Sequence, residues 1–322
     1  MNSNKNSRIS SPVISVIIPF CGDKKDLLNC LKGLQNQEFN YPFEVIVMES
    51  GNDQEVKQLI NSKPNVILIS SNSLMYPGKA RNLGVLNSKS NLLAFTDADC
   101  VPFSTWLFKI FLSLKDGNEI VIGPIINLYP FHPIASIDNL LQFPDFQKHR
   151  PSNNISHFPA CNLGITKELF IKTGGFLEQI ETGEDVKFSE SAIRICKDKI
   201  IFNPQIVVYH SGRKNFTEFM KHNESLGFHR GYLNLKISSR HKKSKSNFFY
   251  SFFFGCKRLI YISVRTLQWN PVGILRIVFY FPFLILGLSA WMKGFRKGNQ
   301  KFLAEGMPQW QPALTDFRKE EN

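Results

Sequence analysis

Residues 92–102 read LLAFTDADCVP, an apolar run that ends in two aspartates one residue apart and then a proline. Leu92, Leu93, Ala94 and Phe95 have the continuous hydrophobicity of a strand buried on both faces. If the two-residue period of the strand persists, Asp97 and Asp99 point the same way. Like charges side by side repel unless a cation stands between them. An oxygen-rich pair suits a hard divalent ion, Mg²⁺ or Mn²⁺, bound together with phosphate oxygens. The alternative is two solvated turn aspartates ahead of Pro102, and a D-x-D tripeptide alone does not decide between them.

Three similar runs precede this one: VISVIIPF (13–20), FEVIVME (43–49) and NVILIS (65–70). Between them lie helical faces, Leu27, Leu28, Leu31 and Leu34 in one and Val56, Leu59 and Ile60 in the next. Strand–helix–strand alternation specifies an α/β protein with a mostly parallel, doubly wound central sheet flanked by helices. Such sheets bind ligands beyond the carboxyl ends of their strands, here at Pro19 and Phe20, at Glu49 and Ser50, and at Asp97 and Asp99. Farther on, residues 119–129 read as one strand, 157–176 as strand, helix and Gly-Gly turn, and 199–210 as one or two short strands. Residues 183–196 read as a helix whose first turn carries Glu184 and Asp185. Acids there complement the helix dipole, and a carboxylate general base is the functional alternative. His210, closing IVVYH, is either a structural histidine or a third metal ligand.

The chain has 322 residues, 43% of them hydrophobic, enough for one large or two smaller domains with a substantial core. Residues 1–210 hold 20 Lys and Arg against 20 Asp and Glu, whereas residues 211–322 hold 19 against 6, so the whole net charge of +13 lies in the last third. A neutral body with a basic end points to chemistry in one part and attachment to something anionic in the other. The six cysteines form no CxxC pair, which argues against zinc and fits free thiols in a reducing compartment. The polar start, MNSNKNSRISSP, has no apolar signal stretch and is expected in the cytosol.

The last third also changes texture. Residues 236–246 are a basic linker, and 248–269 mix Phe clusters with Lys257, Arg258 and Arg265. An uncharged run from Ile277 to Met292 is interrupted by Pro282 and falls short of the roughly 20 residues of a full span. Trp269 and Trp291 flank it and Lys293, Arg296 and Lys297 follow, as interfacial anchors and cytosolic charge do.

The ordered segments ISVIIPF, FEVIVMESGN, YPGKARNLGVLNSKSNLLAFTDADCVP, CNLGITKELFIKTGGF, GEDVKFSESAIR and NPQIVVYHSG together resemble the family 2 glycosyltransferases with the GT-A (Rossmann-like) fold. The resemblance spans about residues 13–235. It implies a polar tail (1–12), a catalytic domain (13–235) and a basic, Phe-rich C-terminal region (236–322) of hydrophobic and amphipathic helices on the membrane. By the same resemblance, Pro19, Phe20 and Glu49 lie at the nucleotide, and Lys79, Arg81 and Asn82 line the donor site. Asp97 and Asp99 carry ribose and metal–diphosphate contacts, His210 helps hold metal or diphosphate, and Cys161 and Asn162 lie beside sugar and acceptor. Asp185 is the catalytic base, with Glu184 its neighbour.

The activity so implied is inverting transfer of one sugar from a nucleotide-diphosphate sugar, UDP-linked by family prior, to a hydroxyl of a glycan or lipid-linked acceptor. The expected setting is polysaccharide or glycolipid synthesis at the cytoplasmic face of the cell membrane, with anionic lipid as partner. Two departures bear on this. Only one acid, Glu49, follows the second strand where the family has a pair, and the Q-x-x-R-W signature of processive synthases is replaced by HNESLGFHRGY (222–232). A nucleotidyltransferase should show a Gly-rich phosphate loop after its first strand, whereas IIPFCGDKKD offers one Gly. A non-catalytic membrane scaffold has no need of Asp97, Asp99, Glu184 and Asp185 together. Nucleic acid is not an expected partner, because the basic residues sit among Phe clusters rather than on a polar face.

Overall fold

The computed structural model describes residues 11–61, 63–152, 155–196, 199–233 and 248–306. Most of the expected N-terminal tail and the basic linker at 236–246 lie outside the described residues. The first half alternates as its apolar runs require: β1 (Ile14–Phe20), α1 (Lys24–Gln35), β2 (Phe43–Ser50), α2 (Gln54–Asn61), β3 (Val66–Ser71), α3 (Pro77–Leu86) and β4 (Leu92–Thr96). Leu27, Leu31 and Leu34 of α1 and Val56 and Ile60 of α2 turn inward onto the sheet. β1 pairs in parallel with both β2 and β4, and β2 with β3, giving the order β3-β2-β1-β4. The winding reverses between β1 and β4, so their carboxyl ends frame the crevice where such sheets bind ligands.

Beyond β4 come β5 (Cys100–Pro102), α4 (Trp106–Lys115), β6 (Ile120–Ile122), β7 (Ile125–Asn127), α5 (Pro133–Gln142), β8 (Asn162–Thr166), α6 (Lys167–Thr173), α7 (Glu184–Cys196), β9 (Ile200–Phe202), β10 (Val208–His210) and α8 (Phe216–Tyr232). β8 joins the large sheet antiparallel to β4 and β6, and β9 closes it in parallel with β6. The single strand expected over 119–129 is two strands in two sheets, parted by Gly123-Pro124. Proline cannot donate to the ladder, and a Cβ on Gly123 would stand 1.9 Å from the carbonyl oxygen of Ile206. The 199–210 segment divides alongside it. β6 runs beside β9 in the large sheet, and β7 beside β10 in a three-stranded sheet of order β5-β10-β7.

Three more helices follow among the described residues: α9 (Phe248–Trp269), α10 (Gly273–Phe279) and α11 (Phe281–Glu305). They share a second core with the body, in which Ile137, Leu141, Phe219, Ile262, Ile277 and Leu288 meet. α11 lies along α8 at backbone contact. A Cβ on Gly294 or Gly298 would sit 1.9 Å from the carbonyl oxygens of Glu224 and Phe228, and one on Gly227 would sit 2.0 Å from that of Trp291. Small residues permit this approach. Among the described residues no single helix is long and apolar enough to cross a membrane, while α10 and α11, bent by 84° where Pro282 opens α11, pass together by length and composition.

Candidate active site

β4 stops at Thr96, so the alternation that would have aligned the two aspartates ends before it reaches them. Asp97 to Asp99 form a turn closed by the Cys100 amide donating to the Asp97 carbonyl at 3.0 Å. The two carboxylates diverge to different partners already in the protein. Arg81 Nη2 donates to Asp97 Oδ1 at 2.5 Å, and His210 Nε2 lies 3.4 Å from Asp99 Oδ2. The second contact follows from strand register: β5 pairs antiparallel with β10 so that Cys100 faces His210, and the Ser211 amide donates to the Asp99 carbonyl at 2.9 Å.

Arg81 has a second task. Its Nη1 donates to Glu184 Oε1 at 2.6 Å, and its guanidinium, 3% exposed, lies 5.4 Å from the Phe176 ring centroid. One buried cation thus ties the turn after β4 to the first turn of α7. Gly183, at φ +85°, makes the left-handed turn that starts this helix, a conformation side chains resist. The result is a carboxylate pair with unequal roles. Glu184 is held by Arg81, while among the described residues Asp185 accepts only from the amide of Val186, at 2.8 Å. Burial first, then the adjacent Glu184 charge, pushes the Asp185 carboxyl up to about 7, with Arg81 opposing. Burial also raises Glu184 against the pull of Arg81. At Asp99 burial acts upward too, but the charge and hydrogen bond of His210, with Arg213 beyond, hold that carboxyl well below the usual range.

These groups line one cavity of about 1780 Å³ at the carboxyl ends of β1 and β4. Of the residues singled out from the sequence, Pro19, Phe20, Arg81, Asp97, Asp99, Cys161, Glu184, Asp185 and His210 line it. Four other expected site residues do not line it. The buried Glu49 turns inward to accept from the Asp53 amide at 2.7 Å and from the Ser70 hydroxyl, fixing the loop after β2. Lys79 is exposed on α3 and lines no part of the cavity. Asn82 binds the backbone of Phe176 in both directions at 2.9 Å, and Asn162 accepts from Trp106 Nε1 while donating to the carbonyls of Pro124 and Ile206. Buried amides must be satisfied, and both of these are spent on joining elements.

The cavity also contains groups the motif reading passed over. Arg213 and Lys214 follow Gly212 directly after β10 and bring positive charge beside Asp99. Asp26, in the first turn of α1, lines the same cavity, its carboxyl raised by burial and then by the Asp99 charge. Two bases directly after a strand end were a signal available in the sequence.

Residues 15–174 match the sequence model of glycosyl transferase family 2. The chain belongs to this family. Glycosyltransferase AglE of Haloferax volcanii is 25% identical over 189 residues, 56% of this chain and 61% of that protein. Chondroitin synthase of Pasteurella multocida is 31% identical over 186 residues, 56% of this chain but 19% of that protein. This family 2 chain therefore spans less than two thirds of the length of either relative. Among solved structures, residues 1–349 of TarS from S. aureus with UDP-GlcNAc superpose with a TM-score of 0.52 at 15% identity, covering 92% of this chain and 93% of that one. The mannosyltransferase PcManGT from Pyrobaculum calidifontis, with GDP-Man and Mn²⁺, gives 0.54 at 14% identity over 90% and 87%. At these identities the likeness is one of fold, the GT-A glycosyltransferase fold.

Proposed function

We propose that this protein transfers a single sugar, with inversion, from a nucleotide-diphosphate sugar to an acceptor hydroxyl. The observation that carries the reading is the convergence of the Asp97–Asp99 turn, the Arg81 bridge and the raised Asp185 carboxyl on one cavity at the β1–β4 crevice. A base matched to neutral pH is what proton removal from an attacking hydroxyl needs. Asp185 takes that proton as the hydroxyl attacks the anomeric carbon. Attack opposite the leaving diphosphate inverts the configuration. Arg81 fixes Glu184 in place, so that a carboxylate pair in one turn retains one free member. Arg213 and Lys214 supply positive charge on the diphosphate side.

The donor set fits a divalent cation bound mainly through the substrate. Among the described residues no group of three or more His, Cys, Asp or Glu side chains could hold a metal. Asp97 is committed to Arg81, which leaves Asp99 and His210, whose Nδ1 is buried with no hydrogen-bond partner. One or two protein ligands plus phosphate oxygens is the ordinary arrangement for Mg²⁺, and Mn²⁺ accepts the same oxygen-rich set. When bound, the cation neutralises charge on the leaving diphosphate.

The setting we propose is the cytoplasmic membrane surface. On α9 the exposed Phe249, Phe253, Ile260, Val264 and Leu267 fall within one narrow stripe at 100° per residue, while the buried Ser251, Gly255, Ile262 and Thr266 face the opposite way. Phe249 is 81% exposed, and Phe279 at the α10–α11 bend 75%. A surface helix with an apolar outer face has the inverse of the pattern that water favours. This stripe supports helices lying in the plane of a leaflet, with the cavity mouth beside them and a lipid-linked or membrane-bound glycan as acceptor. The test is a panel of UDP- and GDP-sugars assayed for transfer or hydrolysis with and without Mn²⁺. Turnover of one donor that stops with EDTA supports the reading, and no binding of any nucleotide sugar rejects it.

A further inference from the structure

The cavity extends well past the donor end. It runs between α8 and α9 to Arg230, Lys257, Arg258, Tyr261 and Trp291, and onto Ile260 and Val264 of the exposed apolar stripe. Its carboxylates there are already matched. Asp145 accepts from the Tyr261 hydroxyl at 2.6 Å and lies 3.3 Å from Arg265, and Glu190 pairs with Lys187 at 3.0 Å. Two guanidiniums are not matched. Among the described residues neither Arg230 nor Arg258 has a carboxylate within ion-pair distance. Arg258 donates from Nη2 to the Leu141 carbonyl at 2.7 Å and stacks 4.8 Å from the Trp291 centroid, but its Nε is buried with no partner. Both guanidiniums line this end of the cavity, one from α8 and one from α9, and burial and then the like charge of Arg230 push Arg258 down to about 10, with Asp145 opposing.

We propose that Arg230 and Arg258 form a phosphate subsite for the acceptor, reading the phosphate of an amphiphile whose apolar part lies along the outer stripe of α9. The proposal rests on the glycosyl-transfer reading only for the word acceptor; the anion site stands on the arginines. Forked guanidiniums suit phosphate oxygens, and partial desolvation strengthens each contact. The order along the cavity is then apolar stripe, phosphate, sugar hydroxyl, Asp185, donor. A phosphate-bearing headgroup held at α8 and α9 fixes which acceptor hydroxyl reaches the base.

The test needs no turnover, so it is independent of the donor assay. The full-length protein is titrated with phosphatidylcholine vesicles carrying hexadecyl phosphate, or a carboxylate amphiphile at equal surface charge. We expect tighter binding to the phosphate vesicles. Arg230→Gln, at an exposed side chain, and Arg258→Gln should each weaken that binding about tenfold while leaving the carboxylate vesicles within twofold. Arg258→Lys should recover part of the loss, and UDP and GDP titrations should be unchanged throughout. Equal binding of wild type to both vesicles, or wild-type affinity in Arg230→Gln, overturns the subsite. Inorganic phosphate is the last arm. Displacement by it supports the subsite and assigns it to a free anion; failure to displace supports it and assigns it to the lipid-borne phosphate.

Discussion

Replacing Asp185 by Asn removes a carboxyl that burial and the Glu184 charge have lifted from 3.8 to about 7, and the change should cut two ways. The catalytic effect is a loss. Asparagine cannot accept the proton, and general-base catalysis contributes about 10²- to 10⁴-fold. Wild-type kcat should rise with pH through about 7 as Asp185 ionises, whereas the variant's residual rate should be flat there. The stability effect is a gain. Below the unfolded value both states are protonated and the residue is neutral in its effect. As pH rises toward 7 the unfolded chain releases its proton first, so stability falls through this window and levels off above it. The full gap corresponds to about 4 kcal/mol; Arg81 and partial exposure reduce what is measured to about 2 kcal/mol. For a chain of this length that is a rise in Tm of about 3 °C in the variant at pH 8, shrinking to nothing near pH 4. The assays are donor titration by calorimetry, transfer rate against pH, and thermal melts at both pH values. A variant keeping more than about a tenth of wild-type kcat, or retaining the pH limb near 7, refutes the base assignment. Lost nucleotide binding refutes it as well.

Arg81→Gln strands the buried carboxylates of Asp97 and Glu184 and should cost about 3–5 kcal/mol in denaturant unfolding, with the remaining activity shifted to higher pH because Arg81 no longer opposes the rise at Asp185. Asn162→Ala removes three buried hydrogen bonds and should lower stability by about 2–4 kcal/mol with little change in donor KM, whereas a sugar-binding residue would show the reverse. Gly298→Leu drives a side chain into the Phe228 carbonyl and should part α11 from α8, read as a loss of about 3 kcal/mol or more in thermal unfolding. Phe249→Glu combined with Val278→Glu should abolish flotation with anionic vesicles and leave Tm within about 1 °C, since both side chains are exposed; unchanged flotation would reject the in-plane attachment.

Much of the donor half was legible because its signals are local. Continuous Val, Ile and Leu runs specify buried parallel strands, and the strand ends name the residues nearest a ligand. The errors arose where a residue's partner lies far along the chain. Asn82 and Asn162 belong to site motifs by position, yet their amides are consumed by Phe176, Trp106, Pro124 and Ile206, in other elements. Residues 119–129 carry one apolar run, and only the close passage of Gly123 against Ile206 shows why the run divides between two sheets.

The sequence by itself determined the strand order's raw material, the acidic turn after β4, the carboxylate pair opening α7, and the basic, aromatic end. Tertiary structure decided what neutralises each carboxylate. The pairing of β5 with β10 sets His210 against Asp99, and α3 delivers Arg81 between Asp97 and Glu184, which frees Asp185 alone. Charge pairing in a partly dry cavity depends on distances of a few ångströms between residues more than a hundred positions apart, and no spacing along a chain encodes that.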